Sequence, residues 1–262
     1  MWADLAGFVF NGELLSTYGM RLVYGIGITA KVVLISCAIG FALAFPICWA
    51  RMSCNRLAAW PALAYVTFFR GTPLLCQLYL VYYGMGEIRP LLADIGIWWF
   101  FRDAFYCCVF AFSLNTAAYQ AEIMRGAILS VPKGQREAAA ALGLSRWNMA
   151  RHVTWPQAAL VALRPFGNEY ISMVKASALA AIVTLLDLMG QTRFIFARTF
   201  DFSVYLYAAL VYLAITETIR RIWNVIERRL SRHLLAGRPS ATVQEAVAGA
   251  GAAPAGATAA AH

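Results

Sequence analysis

Nineteen consecutive residues, Val32 to Ala50, carry no charged side chain. A helix needs about 20 apolar residues to cross the hydrocarbon of a bilayer. Inside lipid, every backbone N–H and C=O must find its partner within the protein. The stretch therefore decides the environment before any motif is read. This first span extends from about Leu22 to Ala50, and Lys31 near its N-terminal end can snorkel to the interface. Arg51 to Arg56 is a short basic turn. A second span covers about Leu57 to Gly86 and is interrupted at Arg70-Gly71-Thr72-Pro73. The third runs from about Trp98 to Ile123, the fourth from about Val153 to Leu186, and the fifth from Phe202 to about Arg221. The expectation is an all-α membrane protein with about five transmembrane helices.

The composition agrees. Only 13% of the 262 residues are charged and 61% are hydrophobic, whereas a soluble domain carries about 25% charge. A net charge of +9 raises nucleic acid as a partner. That reading is excluded, because the basic residues sit at the ends of apolar runs and not on one polar face. Cys37, Cys48, Cys54, Cys76, Cys107 and Cys108 lie mostly inside apolar stretches, without metal-ligand spacing, and read as small buried hydrophobes. Met1 to Met20 carries Asp4 and Glu13 and lacks a basic start, so no cleavable signal peptide is expected.

Lysine and arginine collect on the cytoplasmic side of a membrane protein. The turn after the first span has two, Arg125 to Arg151 has five, and the C-terminal segment has six. On the other side the N-terminal segment has one, the loop Glu87 to Asp103 two and the loop Asp187 to Asp201 two. Thirteen against five predicts a periplasmic N-terminus and a cytoplasmic C-terminus. From Ala236 the chain is mostly Ala, Gly, Pro and Thr, which predicts a disordered tail over 236–262 after a transmembrane domain over 1–235.

The cytoplasmic stretch from Glu137 to Pro156 has a pattern of its own. Ala138 to Leu142 is strong helix former, Gly143 suits a left-handed C-terminal cap, and Ser145 can N-cap a second helix. Two short helices meeting at a glycine are predicted, and an ordinary helical hairpin explains that much. The longer pattern has Glu137-Ala138-Ala139, then Gly143 six residues after the glutamate, then Pro156-Gln157-Ala158. It resembles the cytoplasmic EAA loop of ABC importer permeases, here about 130–156.

Three further segments are similar to the polar amino acid branch of these permeases. They are Phe69 to Leu78, Asn115 to Ile128, and Gly167-Asn168-Glu169-Tyr170 to Leu179. The resemblance covers roughly Tyr18 to Leu230, and within the branch it is strongest to subunits serving histidine, lysine, arginine, ornithine and opines such as octopine and nopaline. It implies a type I importer permease in the cytoplasmic (inner) membrane. It also implies a second permease subunit, the same or homologous, around a shared path, two cytoplasmic ATPase subunits below, and a periplasmic substrate-binding protein above. Glu137, Ala138, Ala139, Gly143, Leu144 and Ser145 then form the coupling helix region that docks on the ATPase. One departure is Trp155, where the family pattern has leucine before Pro-Gln-Ala. Tryptophan can sit at the headgroup level, so the change is expected to be tolerated.

A charged group inside a span costs on the order of 3 kcal/mol and usually faces the bundle interior. Arg70 sits at the helix interruption, where either a structural or a substrate role is open. Glu122 precedes Arg125 by three residues, and a local ion pair is favoured. Arg164 and Lys175 can each reach an interface or an acidic neighbour. Glu169 is different, because its i+3 and i+4 neighbours are Ser172 and Met173 and the nearby cations are off its helix face. Its carboxylate needs a cation from another helix, another subunit or the transported molecule. A structural pair with Arg70 and a substrate site formed by Glu169, Arg70 and Asn168 both remain open.

No Gly-x-x-x-x-Gly-Lys-Ser/Thr pattern occurs, so ATP is expected to be used by the partner ATPase and no cofactor by this chain. His152 and His233 stand alone, no metal set is spaced for ligation, and nothing resembles a nucleophile–base pair. The reading is a non-enzymatic membrane half of an importer for a polar, cationic amino acid or opine. The alternative is a membrane-embedded structural or signalling subunit that docks a cytoplasmic partner through the Glu137 loop.

Overall fold

The computed structural model describes residues 12–235, and all of their regular structure is helical. The expected tail at 236–262 and the first eleven residues lie outside the described residues. Helix α1, Gly12–Met52, is 41 residues long, or about 60 Å at 1.5 Å per residue. It packs most extensively against α7, Ala104–Leu129, and this pair is the axis of the bundle. The main core joins Val32, Val33 and Cys37 of α1 to Cys107, Cys108 and Phe112 of α7, with Leu78, Met173 and Val183 closing around them. Four of the six cysteines are buried there or beside Ala44 and Ala121, as expected of small hydrophobes, while Cys54 and Cys76 are exposed.

Helix α2 is Arg56–Gly71, started by Asn55, whose side-chain oxygen accepts from the Leu57 amide at 2.9 Å. It stops where the sequence said it must. Thr72 precedes a proline and is pushed into extended backbone, φ −111° and ψ 147°. The chain resumes as α3, Leu74–Tyr79, passes a π-helical turn at Leu80–Gly84, and ends in the one-turn α4, Met85–Glu87. Two short helices follow, α5 at Arg89–Asp94 and α6 at Trp98–Phe101. The predicted third span therefore begins later than Trp98. Asp103 accepts from the Phe105 amide at 2.8 Å and starts α7 at Ala104.

After α7 come α8, Lys133–Ala141, and α9, Arg146–Met149. The second of the two expected short helices is not separate. It runs through a π-helical turn at Ala150–Thr154 into α10, Trp155–Ala176, and on through a 3₁₀ segment at Ser177–Val183. The stretch 187–201, expected as a loop, is instead mostly helix α11, Leu188–Thr199, packed on α1. Asp187 is its N-cap: buried at 1% exposure, it accepts from the Gly190 amide at 2.8 Å. Thr29 of α1 accepts from the Leu188 amide at 3.1 Å, and Tyr212 reaches the second Asp187 oxygen at 3.5 Å. Helix α12, Ser203–Leu235, packs on α10 and α11 and is 33 residues long.

Among the described residues, α1 alone is by itself long and apolar enough to cross a membrane. The helical stretch Arg146–Val183 passes the same test when joined to α11 across a 48° bend. The other spans expected in the sequence are shortened by breaks, as at Thr72, or carry polar residues turned into the bundle. In α7 those are Ser113, Asn115, Thr116 and Gln120, all buried.

Candidate functional site

The break at Arg70–Pro73 strips backbone carbonyls of their helical donors, and such groups are tolerated only when the protein supplies others. Gln77 supplies them. Its Nε2 donates to the Phe69 carbonyl at 3.0 Å, the Thr72 carbonyl at 3.1 Å and the Thr72 hydroxyl at 2.8 Å. Asn115 of α7 adds a donor to the Phe69 carbonyl at 3.1 Å and another to Gln77 Oε1 at 2.9 Å. The break is a built joint, held from α3 and α7 together. Both residues lie in segments already singled out in the sequence, but nothing local in the sequence announces this role.

Arg70 ends α2 with its side chain exposed and its guanidinium 5.2 Å from the centre of the Tyr119 ring. It lines a hollow of about 390 Å³ with Tyr119, Glu122, Gly126, Val161 and Pro165. Glu122 makes the expected pair with Arg125, 2.7 Å, and a second that sequence spacing could not show, to Arg51 at the end of α1, 3.1 Å. Its side chain is 13% exposed. Arg164, one of the charges left open, pairs with Glu227 of α12 at 2.5 Å. Lys175 is exposed.

Glu169 is held from α7. Thr116 donates to its Oε1 at 2.8 Å, and Gln120 Nε2 donates in turn to the Thr116 hydroxyl at 3.0 Å. The structural pair with Arg70 does not form, and among the described residues Glu169 is in no ion pair. Asn168 beside it is exposed. The carboxylate is thus oriented by a neutral donor chain and, among the described residues, is in no ion pair.

At the far end of α10 lies the Glu137 stretch. Helix α8 terminates in a Schellman motif: Gly143 has φ +73°, its amide donates to the Ala140 carbonyl at 2.9 Å, and the Leu144 amide donates to the Ala139 carbonyl at 3.2 Å. Ser145 caps α9 by accepting from the Asn148 amide at 3.3 Å. Glu137, Ala138, Gly143 and Ser145 are exposed, Leu144 is half-buried and Ala139 is buried. Leu142 is 81% exposed, and Trp147 and Trp155 meet edge to face at 5.9 Å on an exposed side. Arg136 ties α8 to the end of α7 through the Ile128 carbonyl at 2.5 Å, a contact not foreseen in the sequence.

Residues 19–232 match the model of a family described as the binding-protein-dependent transport system inner membrane component. The chain belongs to that family. It is 37% identical over 217 residues to the nopaline transport system permease protein NocM of Agrobacterium fabrum, covering 82% of this chain and 90% of the relative. It is also 37% identical over 230 residues to the histidine/lysine/arginine/ornithine transport system permease protein HisM of Escherichia coli, covering 87% and 95%. A crystal structure of an amino acid ABC transporter with histidines superimposes with a TM-score of 0.74 at 33% identity, over 82% of this chain and 96% of that one. The inward-facing methionine transporter MetNI, at 19% identity and a TM-score of 0.68, shares the fold. The protein is a membrane permease subunit of an ABC importer, with the all-α fold of that class, and is not an enzyme. Membership in a transport family removes the reading as a signalling scaffold.

Proposed function

We propose that this permease carries a polar, cationic amino acid or an opine across the cytoplasmic membrane, with Glu169 receiving the cationic end of the substrate. The observation that carries the proposal is the unpaired carboxylate. Thr116 fixes the orientation of Glu169 without neutralising it, and a part-buried acid in no ion pair selects for a ligand that brings a positive charge. Relatives named for nopaline, octopine and histidine/lysine/arginine/ornithine transport support a substrate with an ammonium, guanidinium or imidazolium group. Arg70, beside the adjoining hollow, and the exposed Asn168 complete the proposed substrate set.

In this reading the chain crosses the membrane about five times, with the N-terminus periplasmic and the C-terminus cytoplasmic, as its basic residues imply. A second permease subunit completes the path, a periplasmic binding protein delivers substrate, and ATP is consumed by two cytoplasmic ATPase subunits. Glu137, Ala138, Ala139, Gly143, Leu144 and Ser145 form the ATPase contact, and the exposed Leu142 beside them fits the same face.

Glu169→Gln tests the assignment, since it keeps the acceptor for Thr116 and removes the charge. The assembled complex should hydrolyse ATP at its basal rate while uptake of arginine, histidine or an opine collapses. Normal uptake of a cationic substrate by the variant overturns the assignment.

A further inference from the structure

Towards the N-terminal end of α1, two arginines from different helices meet on a single aromatic ring. The Arg21 guanidinium of α1 lies 4.7 Å from the centre of the Phe194 ring of α11, and that of Arg198 lies 4.9 Å from it. Both arginines are exposed, and among the described residues neither is in an ion pair. The acid next along the chain, Asp201, turns a carboxylate oxygen to the Ser203 amide at 2.9 Å and so starts α12. Two like charges held on one ring repel, and an anion shared between them lowers that cost.

Their level in the membrane follows from α1. Thirty residues separate Arg21 from Arg51, which is about 45 Å of helix at about 1.5 Å per residue. A bilayer measures about 40–45 Å from one headgroup layer to the other. Arg51 is fixed to Glu122, near the end of α7 that leads into the Glu137 stretch. That spacing places Phe194 and its two arginines in the opposite headgroup layer. Exposed aromatic rings stand beside them. Phe200 ends α11 in left-handed backbone, φ 52°, where a residue with a side chain is strained, yet it is 76% exposed. Phe202 is exposed as well, and Phe196 meets these two rings at 6.0 and 4.7 Å. Arginine together with exposed phenylalanine is the composition of a segment that lies in the membrane interface.

We propose that Arg21 and Arg198 together bind the phosphate of an anionic phospholipid, such as phosphatidylglycerol, in the leaflet at this end of α1. Their guanidinium groups supply forked donors that match phosphate oxygens. Phe194 fixes both forks at the headgroup level, while Phe200 and Phe202 meet the upper acyl chains. The exposed rings favour lipid over the acidic face of a soluble protein, because acyl chains cover them without a second shaped surface. A lipid held this way ties α11 to α1. The proposal needs α1 to span the membrane and is independent of the substrate and of Glu169.

The test uses the whole transporter, purified in detergent and stripped of lipid. Phosphatidylglycerol or phosphatidylcholine is titrated back, and bound lipid is counted by native mass spectrometry. The parent should bind its first phosphatidylglycerol more tightly than phosphatidylcholine. Each arginine at an anionic surface is worth about a fivefold factor, so Arg21→Gln with Arg198→Gln should weaken that first binding about 25-fold and erase the preference. Arg193→Gln is the control. It removes the same charge from the same helix, but its guanidinium turns to the Ala181 carbonyl at 3.3 Å, so the parent affinity should remain. If the double variant does not assemble, each single variant is read instead, with a loss of about fivefold. Equal affinity for the two lipids in the parent, unchanged affinity in the double variant, or an equal loss in Arg193→Gln overturns the site. Weakened docking of the periplasmic binding protein with lipid binding intact overturns it too, and assigns the arginines to an acidic protein surface.

Discussion

The cap between α8 and α9 offers the cleanest perturbation, because at Gly143 the backbone cost can be separated from packing. A Cβ placed there meets nothing within 4 Å, so a larger side chain has room. What it meets is the backbone itself, at φ +73°. For an L-residue that conformation costs about 1–2 kcal/mol, and the β-branch of valine places it at the upper end. The 9 residues of α8 cannot offset this alone, since helices of that length are marginal in water without tertiary support. Gly143→Val should therefore lower the population of the docking-competent turn by about 5–30-fold. The ATPase affinity of the permease, titrated in nanodiscs, should weaken by a comparable factor and uptake should fall with it, while membrane insertion and the melting of the α1–α7 core stay unchanged. Gly143→Asn is the control, since asparagine enters the left-handed region more readily, and most of the affinity should return. If Gly143→Val binds the ATPase as tightly as the parent, the Schellman cap is dispensable and the coupling role of the stretch fails with it.

Two further changes probe the bundle. Gln77→Leu removes the donor to the Phe69 and Thr72 carbonyls and the acceptor for Asn115 and should cost about 1–3 kcal/mol per stranded buried group. The checks are a lower melting temperature in detergent and faster proteolysis at the α2–α3 joint, and unaltered values for both would show the joint to be held otherwise. Glu122→Gln breaks both the Arg51 and the Arg125 pairs, at about 1.5–3 kcal/mol for a charged hydrogen bond. Its effect should shrink in an Arg51→Ala background, which a double-mutant cycle on unfolding measures.

What could be read from the sequence was local. Gly143 and Ser145 declare a cap through their own backbone preferences, and Pro73 dictates the conformation of Thr72 beside it. Glu122 and Arg125 share a helix face, so their pair follows from spacing alone. The partner 71 residues away, Arg51, does not. Helix α11 is legible only in part: Asp187 is a favoured N-cap residue, but the arginines that follow give the stretch the charge pattern of a loop. Only the fold shows that Thr29 of α1 takes the Leu188 amide beside this cap and that Tyr212 of α12 reaches the Asp187 carboxylate.

The polar residues inside the spans carry the larger lesson. In the sequence only the charged ones pose a choice, between an ion pair within the protein and a contact with cargo. The fold adds a third answer, which is service to a neighbouring helix. Gln77 and Asn115 mend a broken backbone, Gln120 feeds Thr116, and Glu122 gathers the end of α1. Each is buried or nearly so and each has its partner in the same chain. Glu169 is the exception that these assignments isolate. Thr116 orients it, while Arg164 pairs with Glu227 and Arg70 lies against the face of Tyr119. A carboxylate left over from this elimination, in a family whose work is import, is where we propose that a positively charged cargo binds.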